Sequence, residues 1–198
     1  MALQLQPATV DDLDNITDLW YRCFNDPNFL AMIPDTPAVR QWWHDANRHD
    51  LLHKPSAYYW KVVDPANNNH LVAYAKWDLS PAHERGPRFP PWHGEMDKAK
   101  CDAYFIEGLE KERKRLFGEK KNYYLDMLAT DPAYRRRGAG GMLVQWGCEV
   151  ADRDGMPVYI DATQEGKLLY SRFGFEDRSG PGCAERGTFP VVREPERN

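Results

Sequence analysis

The sequence predicts a single mixed α/β domain, with a central sheet of about six to seven strands flanked by helices on both faces. Three observations predict it. Apolar residues recur with a period near two in short segments and near 3.6 in the segments between them. Turn chemistry separates these segments one by one. Neither an internal repeat nor an interdomain linker interrupts the 198 residues, a length that suits one domain, 1–198.

Leu3-Gln4-Leu5-Gln6 alternates as a short strand. Thr9, standing before Val10-Asp11-Asp12, reads as a helix N-cap with acids in the first turn. Leu13, Ile16, Leu19, Trp20, Cys23 and Phe24 then form one apolar face. Asn25-Asp26-Pro27-Asn28 breaks that helix, and Thr36-Pro37 opens a second one carrying Val39, Trp42, Trp43 and Ala46. Ala57 to Val63 and His70 to Leu79 are the arms of a hairpin turned at Asp64-Pro65-Ala66-Asn67-Asn68-Asn69.

Ser80 to Glu95, rich in Pro, Gly, Arg and His, predicts a surface loop, and Met96 to Phe117 a long charged helix stopped by Gly118. Residues 80–117 together form an insertion. Asn122 to Thr130 is strand-like, Gly138 to Asp152 is helical through Met142, Leu143, Trp146 and Val150, and Val158 to Ala162 is a strand. Glu165 to Phe173 is a helix ended by Gly174. Phe175-Glu176 starts a final strand, and Gly187 to Val192 suits another.

Composition narrows the function. Hydrophobic residues make up 42% and aromatics 13%, enough for a substantial core, and the net charge of -4 argues against nucleic acid or an anionic membrane as main partner. The amino terminus lacks a basic n-region and an apolar h-region, and no apolar run reaches the roughly 20 residues of a spanning helix. The expectation is a soluble cytoplasmic protein, monomer or homodimer. Cys23, Cys101, Cys148 and Cys183 are far apart and form no CxxC, so they read as free thiols, and no metal site is expected.

One stretch carries chemistry. A strand ending in Leu128-Ala129-Thr130 runs into the basic, glycine-rich Arg135-Arg136-Arg137-Gly138-Ala139-Gly140-Gly141 and then into a helix. Glycines let a backbone approach an anion, and the free amides of a first helical turn point at it. The turn is no P-loop, because no Lys-Ser/Thr follows the glycines, and it lacks the GxGxxG spacing of the Rossmann fingerprint. Taken alone, it also fits an ordinary basic turn between strand and helix.

The run Leu-x-x-Leu-Ala-Thr-Asp-Pro-x-Tyr-Arg-x-x-Gly-x-Gly from Leu125 to Gly140 closely resembles motif A of the GNAT superfamily, and Leu168-Leu169-Tyr170-Ser171-Arg172-Phe173-Gly174-Phe175 resembles its closing Leu-Tyr-x-x-x-Gly-Phe motif. The likeness spans residues 122–176, the expected cofactor-binding core, and at pattern level residues 1–79. It implies a GNAT fold and direct acetyl transfer from acetyl-CoA (coenzyme A) to an amine within a ternary complex. The amides from Arg136 to Gly141 would hold the pyrophosphate, with Arg135 beside them. Leu128, Ala129 and Thr130 would border the pantetheine arm, in a splay that needs a bulge. Thr163, Gly166 and Lys167 would line the start of the following helix, where Thr163 stands in place of the family's usual Asn.

Tyr170 matches the family's general acid, a phenol suited to protonating a leaving thiolate; read as a residue alone, it also fits packing against the sheet. Asp126 occupies a place where several members carry a carboxylate base. By strand alternation it shares a face with Tyr124 and Leu128, and it also fits a salt-bridged structural acid. The resemblance puts the acceptor near Phe24, Asn25, Phe29, Trp77 and Asp78, with Phe89 and Trp92 closing over it, a pocket suited to a small cationic or aromatic amine. A small-molecule primary amine is the expected acceptor. A lysine or protein amino terminus is the alternative, and a non-catalytic acetyl-CoA sensor a third.

Overall fold

In the computed structural model, which describes residues 2–81 and 84–196, seven strands form one sheet in the order β1-β2-β3-β4-β5-β7-β6. Ala82 and His83, in the expected loop, lie outside the described residues. The strands are β1 (Gln4–Pro7), β2 (Ala57–Asp64), β3 (His70–Asp78), β4 (Tyr123–Thr130), β5 (Val158–Thr163), β6 (Glu176–Asp177) and β7 (Thr188–Arg193). The helices are α1 (Leu13–Cys23), α2 (Pro27–Leu30), α3 (Pro37–His53), α4 (Lys98–Cys101), α5 (Lys111–Phe117), α6 (Ala139–Asp154), α7 (Lys167–Ser171) and α8 (Cys183–Arg186). A π-helical stretch, Asp102–Glu110, joins α4 to α5 into one continuous rod.

Local chemistry sets the starts. Thr36 caps α3 by accepting from the Val39 amide at 3.3 Å. The acid Asp12 accepts from the Thr9 amide at 2.8 Å and opens a short 3-10 turn ahead of α1. The expected break at residues 25–28 contains a further helical turn, α2, because the Asp26 side chain accepts from the Asn28 and Phe29 amides and Pro27 sits at its first position.

Two cores lie on the two faces of the sheet. Val62, Ala73, Ala75, Trp77, Leu125 and Ile160 pack under α6. On the second face Tyr59, Tyr74 and Ala129 pack under α1, α3 and the insertion.

The functional geometry comes from β4. It pairs in parallel with β5 only at Tyr123, Tyr124 and Leu125, opposite Val158, Tyr159 and Ile160. Beyond Leu125 the two strands separate, while β5 stays paired to β7 as far as Thr163. On its other edge β4 pairs with β3, where Lys76 lies opposite Met127 but Trp77 lies opposite Leu125. Asp126 is the extra residue, a bulge that bends β4 away from β5.

Candidate active site

The turn after β4 is built to leave amides free. Asp131 accepts from the Ala133 amide at 2.9 Å and starts a 3-10 turn over Pro132–Tyr134. Tyr134 then ties this segment to the β2–β3 hairpin, donating to Asp64 at 3.1 Å and accepting from Asn67 at 3.1 Å. Arg136 has φ 65° and Gly138 φ 90°. Arg135, Arg136, Arg137 and Gly138 are exposed. Helical hydrogen bonding begins with the Met142 amide donating to the Gly138 carbonyl, which leaves the amides of Ala139, Gly140 and Gly141 without a helical acceptor. A Cβ on Gly138 would meet nothing within 4 Å, so its backbone faces open space; a Cβ on Gly140 would lie 3.2 Å from a Leu169 methyl and 3.5 Å from the Thr130 hydroxyl. Gly138 answers a conformation and Gly140 a close approach of α6 to α7.

These features fit coenzyme A. The edge of β4 from Asp126 to Thr130 is unpaired on its β5 side, which suits an added extended chain, and the adjoining turn offers amides and three guanidinium groups to a pyrophosphate. Leu128 turns toward α6 and Ala129 is buried on the second face. The Thr130 carbonyl accepts from the Cys23 thiol at 3.3 Å. Across the splay, the Thr163 hydroxyl accepts from the Gly166 amide at 3.1 Å, which caps the turn into α7. Lys167 is paired with Asp177 at 2.5 Å.

Tyr170, on α7, is 7% exposed, with its ring 5.9 Å from Phe175. Among the described residues its hydroxyl has no hydrogen-bond partner, and burial pushes its pKa well above the ordinary phenol value.

Asp126 corrects its expected role. Arg88 from the insertion donates to it at 2.5 Å and Lys76 lies at 2.8 Å. Burial alone would raise its pKa, but these two cations outweigh burial and hold the carboxyl well below the usual carboxylate range. A carboxylate so stabilised is a poor base. Lys76 continues to Asp50 at 2.6 Å, and Asp50 to Lys54 at 2.8 Å. Nor does Asp126 share a face with Leu128. The bulge inserts one residue, so Asp126 faces the second side with Met127 and Ala129 while Leu128 turns under α6.

The acceptor side also divides. Phe24 and Phe29 stand 5.8 Å apart beside Trp20 on the second face, with Phe29 edge-on to Tyr104 and Phe105 of the insertion, and Asn25 is exposed next to them. Phe89 and Trp92 close over Trp42, at 6.3 and 5.8 Å. Trp77, however, is fully buried on the opposite face, against α6, where a Cβ on Gly147 would fall 2.2 Å from the indole. It is a core residue, not an acceptor contact. Asp78 likewise is structural: it accepts from the Ser80 amide at 2.9 Å and pairs with Arg85 at 2.9 Å, fixing the start of the insertion.

One acid escaped the sequence reading. Asp161 on β5 accepts from the Tyr159 hydroxyl at 2.6 Å and from the Tyr124 hydroxyl at 2.9 Å. Its signal was present: a single acid within the apolar strand Val158-Tyr159-Ile160-Asp161-Ala162. Among the described residues no group of three or more His, Cys, Asp or Glu could hold a metal, and no helix is long and apolar enough to cross a membrane. The four cysteines are free thiols.

A mixed sheet splayed at a bulged strand, with a glycine-rich turn at the open end, is the architecture to be matched with known proteins. The acetyltransferase (GNAT) domain model matches residues 105–177. The probable acyltransferase SID5 of Ajellomyces capsulatus is 29% identical over 99 residues, covering 44% of this chain and 69% of that protein. Among solved structures, a histone acetyltransferase HPA2 and related acetyltransferase from Corynebacterium glutamicum aligns with TM-score 0.63 at 21% identity, over 100% of this chain and 99% of its own. The mosquito arylalkylamine N-acetyltransferase like 5b aligns with TM-score 0.64 at 15% identity, over 98% and 100%. The chain shares the fold of these acetyltransferases, and its residues 105–177 match the GNAT domain model.

Proposed function

We propose that the chain transfers an acetyl group from acetyl-CoA to the primary amine of a small molecule. The observation that carries this reading is the separation of β4 from β5 beyond Leu125, opening onto the free amides of the Arg135–Gly141 turn. In this reading the turn holds the pyrophosphate and the free edge of β4 aligns the pantetheine arm. Acetyl-CoA supplies the activated acetyl group. Tyr170, protonated through the neutral range because burial disfavours its phenolate, gives its proton to the departing sulfur.

The insertion favours a small acceptor over a protein. Phe89 and Trp92 lie across the second face and stack on Trp42, and Phe89 and Phe105 are 4.9 Å apart. A closed aromatic cover suits a compact amine better than an extended peptide. The mosquito arylalkylamine N-acetyltransferase like 5b supports the same direction, and the Corynebacterium histone acetyltransferase-related protein supports the alternative. A thiol-release assay with acetyl-CoA against primary amines, amino sugars, lysine peptides and amino-terminal peptides separates them. The expected outcome is turnover with a small amine at a kcat/KM well above that of any peptide. Turnover with peptides only would reverse the assignment, and acetyl-CoA binding without turnover on any acceptor would make the chain a sensor.

A further inference from the structure

Two carboxylates stand at the mouth where β4 leaves β5, and their surroundings set them apart. Asp126 is neutralised by Arg88 and Lys76. Asp161 is the first residue of β5 beyond the last pair, Leu125 with Ile160. Alternation sends Ile160 and Ala162 into the core beneath α6 and turns Asp161, with Tyr159, to the second face. Each of its oxygens takes one phenol, Oδ1 from Tyr159 and Oδ2 from Tyr124, and among the described residues no cation bonds it. It is partly exposed. The ionisable groups facing it are Arg88 of the insertion loop, Arg113 of α5, Tyr104 of the π-helical stretch, Tyr124 of β4 and Tyr159 of its own strand. Burial raises its pKa more than Arg88 and the two phenols lower it.

From this geometry we infer that Asp161, rather than Asp126, is the base that frees the acceptor amine at the mouth of the splay. The inference rests on the amine-acetyltransferase reading above. The acceptor arrives as an ammonium ion and gives one proton to the Asp161 carboxylate. The freed lone pair forms the C–N bond to the thioester carbon, the C–S bond breaks, and its electron pair leaves on sulfur. Tyr170 protonates that sulfur and is reprotonated by the second proton of the new amide nitrogen. Asp161 returns its proton to solvent, so one proton is released per amide formed. Burial holds the Asp161 carboxyl above the ordinary carboxylate value, the direction that strengthens a general base.

The test compares wild type with Asp161→Asn on phenethylamine and on its less basic β,β-difluoro derivative. The substitution is expected to lower kcat/KM for phenethylamine by about 100-fold or more and to abolish the acidic limb of its pH profile. The loss should be several-fold smaller for the derivative, which needs less help to lose its proton, and acetyl-CoA affinity by calorimetry should be unchanged. A readout independent of turnover is an infrared titration of the free chain, in which a carboxylic-acid band should be missing from Asp161→Asn. Tyr159→Phe is the milder variant. It removes one donor to the carboxylate, so the band and the acidic limb should both move to higher pH. Equal losses with both amines, a surviving acidic limb in Asp161→Asn, or no movement in Tyr159→Phe would overturn the inference and leave amine acetylation standing. A wild-type chain inert toward every primary amine overturns the reading beneath and this inference with it.

Discussion

Tyr170 is a buried side chain whose hydroxyl has no hydrogen-bond partner among the described residues, and burial is what raises its pKa. A phenol in this state stays protonated past the ordinary tyrosine range near 10. Tyr170→Phe is therefore expected to lower kcat by about 100-fold, the lower end for general acid catalysis because a thiolate leaves readily, with acetyl-CoA affinity unchanged. In the wild type no alkaline loss of kcat from this group should appear below about pH 10. A wild-type kcat in Tyr170→Phe would make the residue a packing element. Its position was legible because the Leu-Tyr-x-x-x-Gly-Phe spacing is local in the chain. The state of Asp126 was not, because its deciding partner Arg88 lies 38 residues away in an insertion with no periodic pattern. Trp77 was misplaced although the sequence held the answer: Tyr74 and Trp77 are an odd number of residues apart on one strand, so they point to opposite faces.

At the scale of elements, the bulge at Asp126 and the insertion act together. The bulge turns Asp126 into the second face, where it needs counter-charges, and the insertion supplies one in Arg88, whose guanidinium also lies over Phe89, Phe105 and Tyr124 at 5.0, 5.5 and 5.3 Å. Removing residues 86–94 takes Arg88 away and leaves a buried carboxylate with half its compensation. The expected cost is about 3–5 kcal/mol, the scale for breaking a buried ion pair from one side, read as a drop in urea midpoint at constant slope. Trp92→Ala keeps Arg88 and opens only the aromatic cover, so it should raise the acceptor KM and leave acetyl-CoA affinity unchanged. Equal effects of Trp92→Ala on both substrates would remove the insertion from the acceptor site. Strands and capped helices were legible from alternation and from Thr36-Pro37. The bulge was not, since it is a mismatch between two strands and neither strand shows it alone.

At the scale of the molecule, charge placement sets the pH response. Asp126 has a folded pKa depressed by Arg88 and Lys76. Its contribution to stability is therefore present above the unfolded carboxylate value of about 4 and is lost as pH falls below that value. Asp152, bound by Arg193 at 2.6 and 2.8 Å, acts in the same direction. Asp161, whose folded pKa is raised, acts in the opposite direction: its contribution is present at low pH and is lost as pH rises through the folded value. The urea midpoint should fall steeply below about pH 4, and Asp126→Asn should lower it at neutral pH while flattening that acid loss. An acid loss of wild-type steepness in Asp126→Asn would place the sensitive carboxylates elsewhere. The central claim is that the splay and its glycine-rich turn bind acetyl-CoA, and calorimetric titration of wild type and Gly138→Val tests it most directly. Gly138 has φ 90° and open space beside it, so a side chain there strains the backbone by about 1–2 kcal/mol and projects where the pyrophosphate would approach. One acetyl-CoA per chain is expected in the wild type, and at least about tenfold weaker binding, roughly 1.4 kcal/mol, in a variant that is still folded. Unchanged affinity in folded Gly138→Val, or no binding by the wild type, would contradict the claim.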